Sequence, residues 1–443
     1  MNISKNKLIV YYLLIPIFLV LSASMWSLAN ATEYYVRKDG NDTNCNGSVN
    51  APSSSTPSCA FLTVAKSAIA AKTGDIVSIQ AGTYNESINF GNSGTSSSPI
   101  TFTGIGSPVI AGNIKTMGSY ITIQNLTISP PSAGSPNYAV YLYGTYTIFN
   151  NIIITNYGAT AGDQATAFGF DSGSSYNTLQ NSSIINLNDI DAFHVFGHDQ
   201  KILHNIVNNI NTVNYALNHT DFIQSWGWAG SYAYNILVDS NIISNGTNQI
   251  GNLSNDSNTN GLHDWTFSNN IFANVTGALF AGIPKTYFYN NLFYQCGKDQ
   301  GYAISIYEGG PYSSNGTIII NNAFVNNGGG IGSRAWIYNS NAPSVITISN
   351  NYYAGPNNAA ITSGTGQIYG TNYINGGNPA FINAATLNFN IQSGSVLTGV
   401  GRDLSSLFTN DAAGNTRKVP WSIGPYQYPA NLTLNPPTNL IMQ

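Results

Sequence analysis

The feature of this sequence that most limits its possible folds is a short motif that recurs along most of the chain. In its full form the motif is an apolar residue, a spacer that usually ends in Asn-Asn, and a further apolar residue. Counting weaker copies, successive copies lie about 20 to 36 residues apart, a period typical of solenoid proteins. The apolar positions of the strong copies are Ile148, Ile202, Val238, Phe267, Phe288, Ile319 and Ile348.

The residue types within each repeat predict β-strands rather than helices. The runs are short, show no helical period and end in Gly and Asn turns. Stacked units would place like residues above one another at about 4.8 Å, so the apolar positions predict a stacked core. The second Asn of each pair predicts an amide ladder, and we expect that residue to tolerate the left-handed backbone of a corner. The predicted fold class is therefore an all-β solenoid.

Composition agrees with this fold and excludes some functions. Only 7% of the residues are charged, which suits stacking because a column of like charges would repel itself. The same figure excludes a charge-driven disordered chain. With 14 Lys and Arg and a sequence pI near 5.6, the chain is not expected to bind nucleic acid.

Residues 1–31 are predicted to be a secretory signal peptide. Basic residues near the start precede the apolar run Leu8–Leu21, and Ala29–Ala31 has the small-residue pattern of a cleavage site. A membrane anchor is the alternative, but the run is shorter than about 20 residues and contains Pro16. No later segment is predicted to span a bilayer. The mature protein is therefore expected to be secreted, extracellular or at the cell surface.

The three cysteines are predicted to differ in role. Cys45 and Cys59 bracket a loop rich in Ser, Pro and Asn, and a disulfide that closes this loop is expected in an oxidising compartment. Cys296 lies in an apolar segment with no basic group nearby to lower its pKa. It is predicted to be a buried free thiol rather than a nucleophile.

Segments near both ends of the chain carry a family resemblance. Tyr34–Asp42, Phe61–Ile69 and Gly74–Tyr84 resemble the opening segment of secreted right-handed parallel β-helix proteins, and Ile423–Tyr428 resembles their closing segment. Together with the repeats, these segments make the chain similar to the pectate-lyase-like superfamily, although it matches no specific enzyme family within it. The resemblance implies one domain over residues 32–430, with 32–85 as its opening part, and a tail or linker at 431–443.

A short N-terminal helix is expected to cap the open end of this solenoid. The stretch from Thr63 to Lys72 carries Val64, Ala65, Ala68 and Ile69 at helical spacing, which predicts one apolar face. Terminal repeats of solenoids need such a cap because their last apolar face has no neighbour.

Charged residues are rare, so the polar stretch between residues 188 and 264 is where chemistry is expected. Aligning its coils on the Asn ladder places Asp191 over Asp221 and His194 over Gln224. The same alignment places Asp256 one coil further in the column of Asp191. Carboxylates one strand spacing apart cannot both remain ionised cheaply, so one takes up a proton or a cation binds between them.

Two reaction classes remain open for this carboxylate column. Ca²⁺ held by Asp191, Asp221 and Asp256 would acidify the C5 proton of a uronate. His194 is the candidate base of the resulting lyase, with His198 and Lys201 as alternatives. The carboxylates Asp191 and Asp221 would alternatively serve as the pair of a glycoside hydrolase. The candidate substrate-binding residues are Gln224, Trp226, His219 and His263.

The sequence therefore predicts a secreted, polysaccharide-active protein. A Ca²⁺-assisted polysaccharide lyase is the first hypothesis and a glycoside hydrolase the second. The alternative from another class is a non-catalytic cell-surface or adhesive protein that binds glycans with its aromatic loops. The expected partner is an extracellular polysaccharide, and the expected oligomeric state is a monomer.

Overall fold

The structure is a computed structural model, and the structural statements below concern the residues that it describes. The predicted signal peptide, apart from Ala31, and the predicted tail lie outside these residues. The described ranges are 31–131, 137–158, 165–215, 219–227, 231–256, 261–306, 313–327, 337–339, 345–355, 361–362, 368–369 and 374–428.

The chain winds into stacked coils, and each full coil adds one strand to each of three parallel sheets. Strands of sheet 1 come directly before the corner that carries the Asn ladder. These strands are Glu33–Val36, Ile76–Gln80, Ile100–Ile105, Ile121–Gln124, Ile148–Asn150, Thr178–Gln180, Gly197–His198, Lys201–Leu203, Ala233–Asp239, Leu262–Ser268, Thr286–Tyr289, Ile318–Ile320, Thr347–Ser349 and Ile368–Tyr369.

Sheet 2 begins after the Asn ladder. Its strands are Thr83–Tyr84, Val109–Ile110, Thr127–Ile128, Ile153–Thr155, Ser183–Asn188, Ile206–Asn211, Ile242–Gly246, Ile271–Val275, Leu292–Tyr294, Ala323–Val325, Tyr352–Ala354 and Ile374–Asn375.

Sheet 3 completes each coil and carries the candidate site. Its strands are Ile88–Phe90, Ile114–Thr116, Tyr138–Leu142, Thr166–Phe170, Asp191–Val195, Asp221–Trp226, Gln249–Ser254, Leu279–Gly282, Ile304–Ile306, Ile337–Asn339 and Ile361–Thr362.

The remaining described elements lie near the two ends. They are a helix at Val64–Ala70, two short 3₁₀ turns at Ser53–Ser55 and Ala384–Thr386, and an antiparallel pair formed by Phe381–Asn383 and Asn388–Ile391. No helix among the described ranges has the length and apolar character needed to cross a membrane.

The predicted stacked core is confirmed, with one shift of register. Phe149, not Ile148, pairs through Leu179 with Ile202 and so joins the apolar column. Phe149 is fully buried, whereas Ile148 is 37% exposed. The column continues through Val238, Phe267, Phe288, Ile319 and Ile348.

The predicted amide ladder is also confirmed. Oδ1 of Asn291, for example, accepts hydrogen bonds from the backbone N–H and the side-chain amide of Asn270 on the coil before. The left-handed backbone, however, belongs to the first residue of each pair, such as Asn290 (φ 54°), and not to the second. The second residue is buried because its amide must face the backbone of the neighbouring coils. The ladder members are Asn205, Asn241, Asn270, Asn291, Asn322 and Asn351.

The N-terminal cap is a helix, but its buried face differs from the predicted one. Thr63 caps it by accepting a hydrogen bond from the backbone N–H of Lys66, and its buried residues are Val64, Ser67 and Ala68. Ile69 is 71% exposed, so its assignment to the apolar face was wrong. The helix is only seven residues long. Its first turn is also fixed by Glu86, whose carboxylate accepts hydrogen bonds from the backbone N–H groups of Val64 and Ala65.

Both predictions for the cysteines are confirmed. Cys45 and Cys59 form a disulfide. Cys296 is a buried free thiol, and burial raises its pKa to about 12. A thiol in this environment stays protonated and is a poor nucleophile.

Candidate active site on the outer face of sheet 3

The candidate site depends on a local break in strand alternation. In the strand Asp191–Val195, both Ala192 and Phe193 belong to the hydrophobic core, although neighbours in a regular strand point to opposite faces. Two consecutive inward residues bring Asp191 and His194, which are three positions apart, to the same side. His194 Nε2 lies 2.8 Å from Asp191 Oδ2 as a result.

The predicted alignment of the two carboxylates is confirmed. Phe193 pairs with Ile223 and His194 with Gln224, so Asp221 lies on the coil after Asp191. The backbone N–H of Asp221 donates a 2.8 Å hydrogen bond to Asp191 Oδ1. Both oxygens of Asp191 therefore have a partner.

The carboxylate of Asp221, unlike that of Asp191, is buried without hydrogen-bond donors from the described residues. Its side chain is completely buried, and neither of its oxygens accepts a hydrogen bond from a described residue. Nδ1 of His219 lies 3.1 Å from Asp221 Oδ2, which is an ion-pair distance without hydrogen-bond alignment. Buried carboxylate oxygens without donors are costly, and a proton or a cation relieves this cost.

Protonation of this pair follows from its surroundings. Burial raises the pKa of Asp221 well above the usual carboxyl range, and the negative charge of Asp191 acts in the same direction. The Asp221 carboxyl in turn raises the pKa of His219 to about 9. The His219 side chain is 51% exposed, so solvent screens its interaction with Asp221.

A third residue in this column is Gln249 and not Asp256. The register pairs Asp221 directly with Gln249, seven positions before Asp256. The placement of Asp256 in the column of Asp191 was therefore wrong, because Gln249 lies 14 positions before His263, whereas Asp191 lies only seven positions before His198. Gln249 Oε1 is buried and has no hydrogen-bond partner among the described residues.

Possible metal ligands gather at this point. One ligand atom from each of Asp191, His219 and Asp221 lies within 4.8 Å of the other two. His219, predicted as a substrate contact, thus belongs to the carboxylate cluster itself. Two carboxylates and an imidazole form a donor set that binds divalent cations.

Gln224 and Trp226, predicted as substrate contacts, border the same cluster. Gln224 follows His194 in its register column and is half-buried. The ring of Trp226 meets the rings of His194 and Phe196 edge to face, with centroids 5.0 Å and 4.8 Å away. These contacts hold the His194 ring in place between Asp191 and Trp226.

His263 lies elsewhere. It stacks on Tyr234 at the start of sheet 1, and its Nδ1 contacts Asp264. Tyr234 stacks in turn on His198, so His263 lies two coils from His198. The structure therefore does not bring His263 to the carboxylate cluster.

Sequence reasoning missed the residues that precede His194 on the outer face of sheet 3. The register column that contains His194 continues backward through Gly169 and Tyr141 to Lys115. Only Asn150-Asn151 gives a full copy of the Asn-Asn motif in this part of the chain, and the neighbouring copies at Asn125 and Asn181 are weak. The sequence signal that would have found them is Lys115, a rare cation in a chain with so few charges, which lies between two buried residues in the short strand Ile114–Thr116.

Comparisons with known proteins bear on the fold. No protein-family model matches the chain, and no curated protein matches it. A solved structure of a mannuronic acid specific polysaccharide family 6 lyase from human gut microbiota is 14% identical, with a TM-score of 0.51 over 69% of this chain and 76% of that chain. Pectate lyase Pel9A is 15% identical, with a TM-score of 0.50 over 89% of this chain and 96% of that chain.

At these identities the likeness establishes architecture. The three stacked parallel sheets and the match to solved β-helices agree with the resemblance found in the sequence. The chain folds as a right-handed parallel β-helix.

Proposed function

We propose that this protein is a secreted enzyme that cleaves an acidic polysaccharide, and that it is a cation-assisted lyase. The observation that carries the proposal is the buried Asp221 carboxylate, whose oxygens accept no hydrogen bond from a described residue and which lies beside Asp191 and His219. The names of the two solved structures of similar fold, a mannuronic-acid-specific lyase and a pectate lyase, support the same reaction class. The disulfide supports an extracellular location.

The donor atoms decide which cation suits this site. Asp191 and Asp221 offer carboxylate oxygens, and Gln249 offers an amide oxygen that has no other described partner. Hard oxygen donors of this kind fit Ca²⁺, which takes six to eight oxygens. Bound there, Ca²⁺ would neutralise the carboxylate of a uronate and so acidify its C5 proton.

The two histidines are assigned to proton transfer. His194 is the candidate base, because Asp191 aligns its ring and Trp226 packs against it. His219 is the candidate proton donor to the leaving oxygen, since its Nδ1 lies 3.1 Å from Asp221 Oδ2 and half of its side chain is exposed. Gln224 and Trp226 are assigned to contacts with the sugar.

A glycoside hydrolase is the second candidate. Oxygens of Asp191 and Asp221 lie within 4.8 Å of each other, which is near the separation of about 5–5.5 Å in retaining enzymes and short of the inverting range. Complete burial of Asp221 favours the lyase, because a nucleophile must reach the anomeric carbon.

The test is to follow the ultraviolet absorbance of unsaturated uronate on pectate, alginate and glycosaminoglycans, with Ca²⁺ and with chelator. We expect a Ca²⁺-dependent rise that Asp191→Asn, Asp221→Asn and His194→Gln abolish. Asp403→Asn, an exposed carboxylate whose Oδ1 accepts a backbone hydrogen bond from Ser405, is the matched control and should keep full activity.

Other outcomes would redirect the assignment. Release of reducing ends without the absorbance change would identify a hydrolase. Binding of the polysaccharide with neither product would identify a non-catalytic glycan-binding protein.

A further inference from the structure

We propose that Lys115, Tyr141 and Tyr143 form a binding subsite for an acidic sugar unit on the same face as the candidate active site. The inference deepens the proposed function and rests on it, because it takes the substrate to lie along the outer face of sheet 3. It goes further in naming the residues that select an anionic over a neutral chain.

The subsite is in line with the candidate site. Lys115 pairs with Tyr141, Tyr141 precedes Gly169 in the column, and Gly169 pairs with His194. Successive coils rise by about 4.8 Å, so Lys115 lies about 14 Å before His194 along the solenoid. A linear polysaccharide that reaches His194 along this face would therefore also pass Lys115.

Gly169 provides the space in which the Tyr141 ring lies. A Cβ atom at Gly169 would lie 2.4 Å from Cδ2 of Tyr141, which is closer than real atoms approach. The ring therefore occupies the position where a side chain at 169 would stand, and it rests against the backbone of the next strand. The Tyr141 side chain remains partly exposed in this position.

The neighbouring tyrosines frame this ring without stacking flat on it. The Tyr138 and Tyr143 rings lie 5.1 Å and 5.0 Å from the Tyr141 ring, and each is tilted by 45°. All three rings are half-buried. The three rings form an aromatic surface against which the apolar face of a pyranose ring can pack.

Lys115 supplies the charge. It is the one Lys or Arg in the described strands of sheet 3, although the chain has 14 such residues. Its Nζ lies 4.4 Å from the centre of the Tyr143 ring, and it forms no ion pair with a described residue. The charge of Asp171 acts on the Tyr141 and Tyr143 hydroxyls, but no described carboxylate forms an ion pair with Lys115. A half-buried cation over an aromatic ring in this situation has the chemistry to pair with the carboxylate of a bound sugar.

The test measures binding rather than cleavage. Oligomers of galacturonate and mannuronate, with a neutral xylan oligomer for comparison, are titrated into the Asp221→Asn protein in chelator. Under these conditions neither a bridging cation nor turnover contributes. Lys115→Gln is expected to weaken binding of an acidic oligomer about tenfold and to leave binding of the neutral oligomer unchanged. Lys201→Gln, the same change on an exposed residue of sheet 1, is the matched control.

A second variant tests the role of the Tyr141 ring. Gly169→Ala should displace the Tyr141 ring and weaken binding of acidic oligomers by a similar factor, with melting temperature recorded to confirm folding. Equal binding by the Lys115→Gln and Lys201→Gln proteins would overturn the proposal, as would equal losses for acidic and neutral oligomers or no binding of any acidic oligomer. The binding result does not depend on lyase activity. If no lyase activity is found, the proposed reaction fails, whereas the subsite is still judged from the binding of acidic and neutral oligomers.

Discussion

The backbone N–H of Asp221 donates a 2.8 Å hydrogen bond to Oδ1 of Asp191 on the preceding coil. His194 Nε2 lies against the other oxygen of Asp191, so that carboxylate is anchored at both ends. Asp221 itself is completely buried with no hydrogen bond to its own oxygens from a described residue. The two carboxylates therefore differ: Asp191 organises the site, and Asp221 carries the unsatisfied charge that a cation or proton would neutralise.

Asp221→Asn should separate these two roles. An amide supplies hydrogen-bond donors and carries no charge, so the free energy of unfolding in chelator should rise by about 1–3 kcal/mol. The increase in melting temperature that Ca²⁺ gives the natural protein should disappear. Thermal melts with Ca²⁺ and with chelator measure both effects, and Asp403→Asn serves as control. An unchanged Ca²⁺ response in the Asp221 variant would show that the cation does not bind there.

Gln249→Glu should lower the stability of the cation-free protein and increase the stabilisation that Ca²⁺ gives. A third carboxylate beside Asp221 adds repulsion, which should lower the stability in chelator by about 1 kcal/mol or more. The same charge should enlarge the stabilisation by Ca²⁺, because ligand charge strengthens binding of this ion. The comparison is Gln224→Glu, on the same face in a different column. A Ca²⁺ effect no larger than in the natural protein would exclude Gln249 from the ligand set.

The pH dependence of stability should reflect the raised pKa of Asp221. A carboxyl whose pKa is higher in the folded state binds protons more readily when folded, so its contribution is lost as pH rises above the ordinary value of 3.8. The natural protein in chelator should therefore fall progressively further below the Asp221→Asn protein as pH increases from about 4. Denaturant titrations at several pH values test this, and a gap that narrows with rising pH would contradict it.

His219 should make a second, smaller contribution to the pH dependence of stability, at higher pH than Asp221. Its pKa is raised to about 9 by the Asp221 carboxyl, so its stabilisation is complete below the ordinary value of 6.5 and is lost as pH approaches about 9. The side chain is half exposed, and solvent screening keeps the effect modest. His219→Asn should flatten the stability profile over this interval. The same slope in the variant would mean that His219 does not carry the proton.

The Asn ladder should be essential to the fold. Asn291 is completely buried, its side-chain amide donates to Phe267 O and Asn322 Oδ1, and its own oxygen accepts from Asn270. Asn291→Ala removes the partner of two buried backbone groups, Phe267 C=O and Asn270 N–H, and of two side-chain amides, at a cost of about 1–3 kcal/mol for each unpaired group. Denaturant unfolding should show a loss of several kcal/mol, whereas Asn50→Ala, which removes one exposed contact with Arg37, should cost little. Similar losses in the two variants would refute the ladder's special role.

The sequence predicted the repeat architecture because stacking demands the same residue type at the same place in every coil. The apolar column and the amide ladder are visible as a motif for that reason, and the alignment of Asp191 with Asp221 followed from it. The error at Ile148 was one position, which is enough to turn a side chain from the core to the surface in a strand.

The site depended on features without a fixed spacing in the chain. Ala192 and Phe193 both turn inward, which placed His194 against Asp191, and residue 249 rather than Asp256 completed the column. Loops of unequal length separate the strands, so which polar residues meet across coils is decided only when the coils stack. The sequence by itself determined that the chain forms a β-solenoid with a polar region near Asp191. The tertiary structure decided that His219 joins Asp191 and Asp221 there and that Asp256 does not share their column, because long-range register, unlike local periodicity, is not encoded in neighbouring residues.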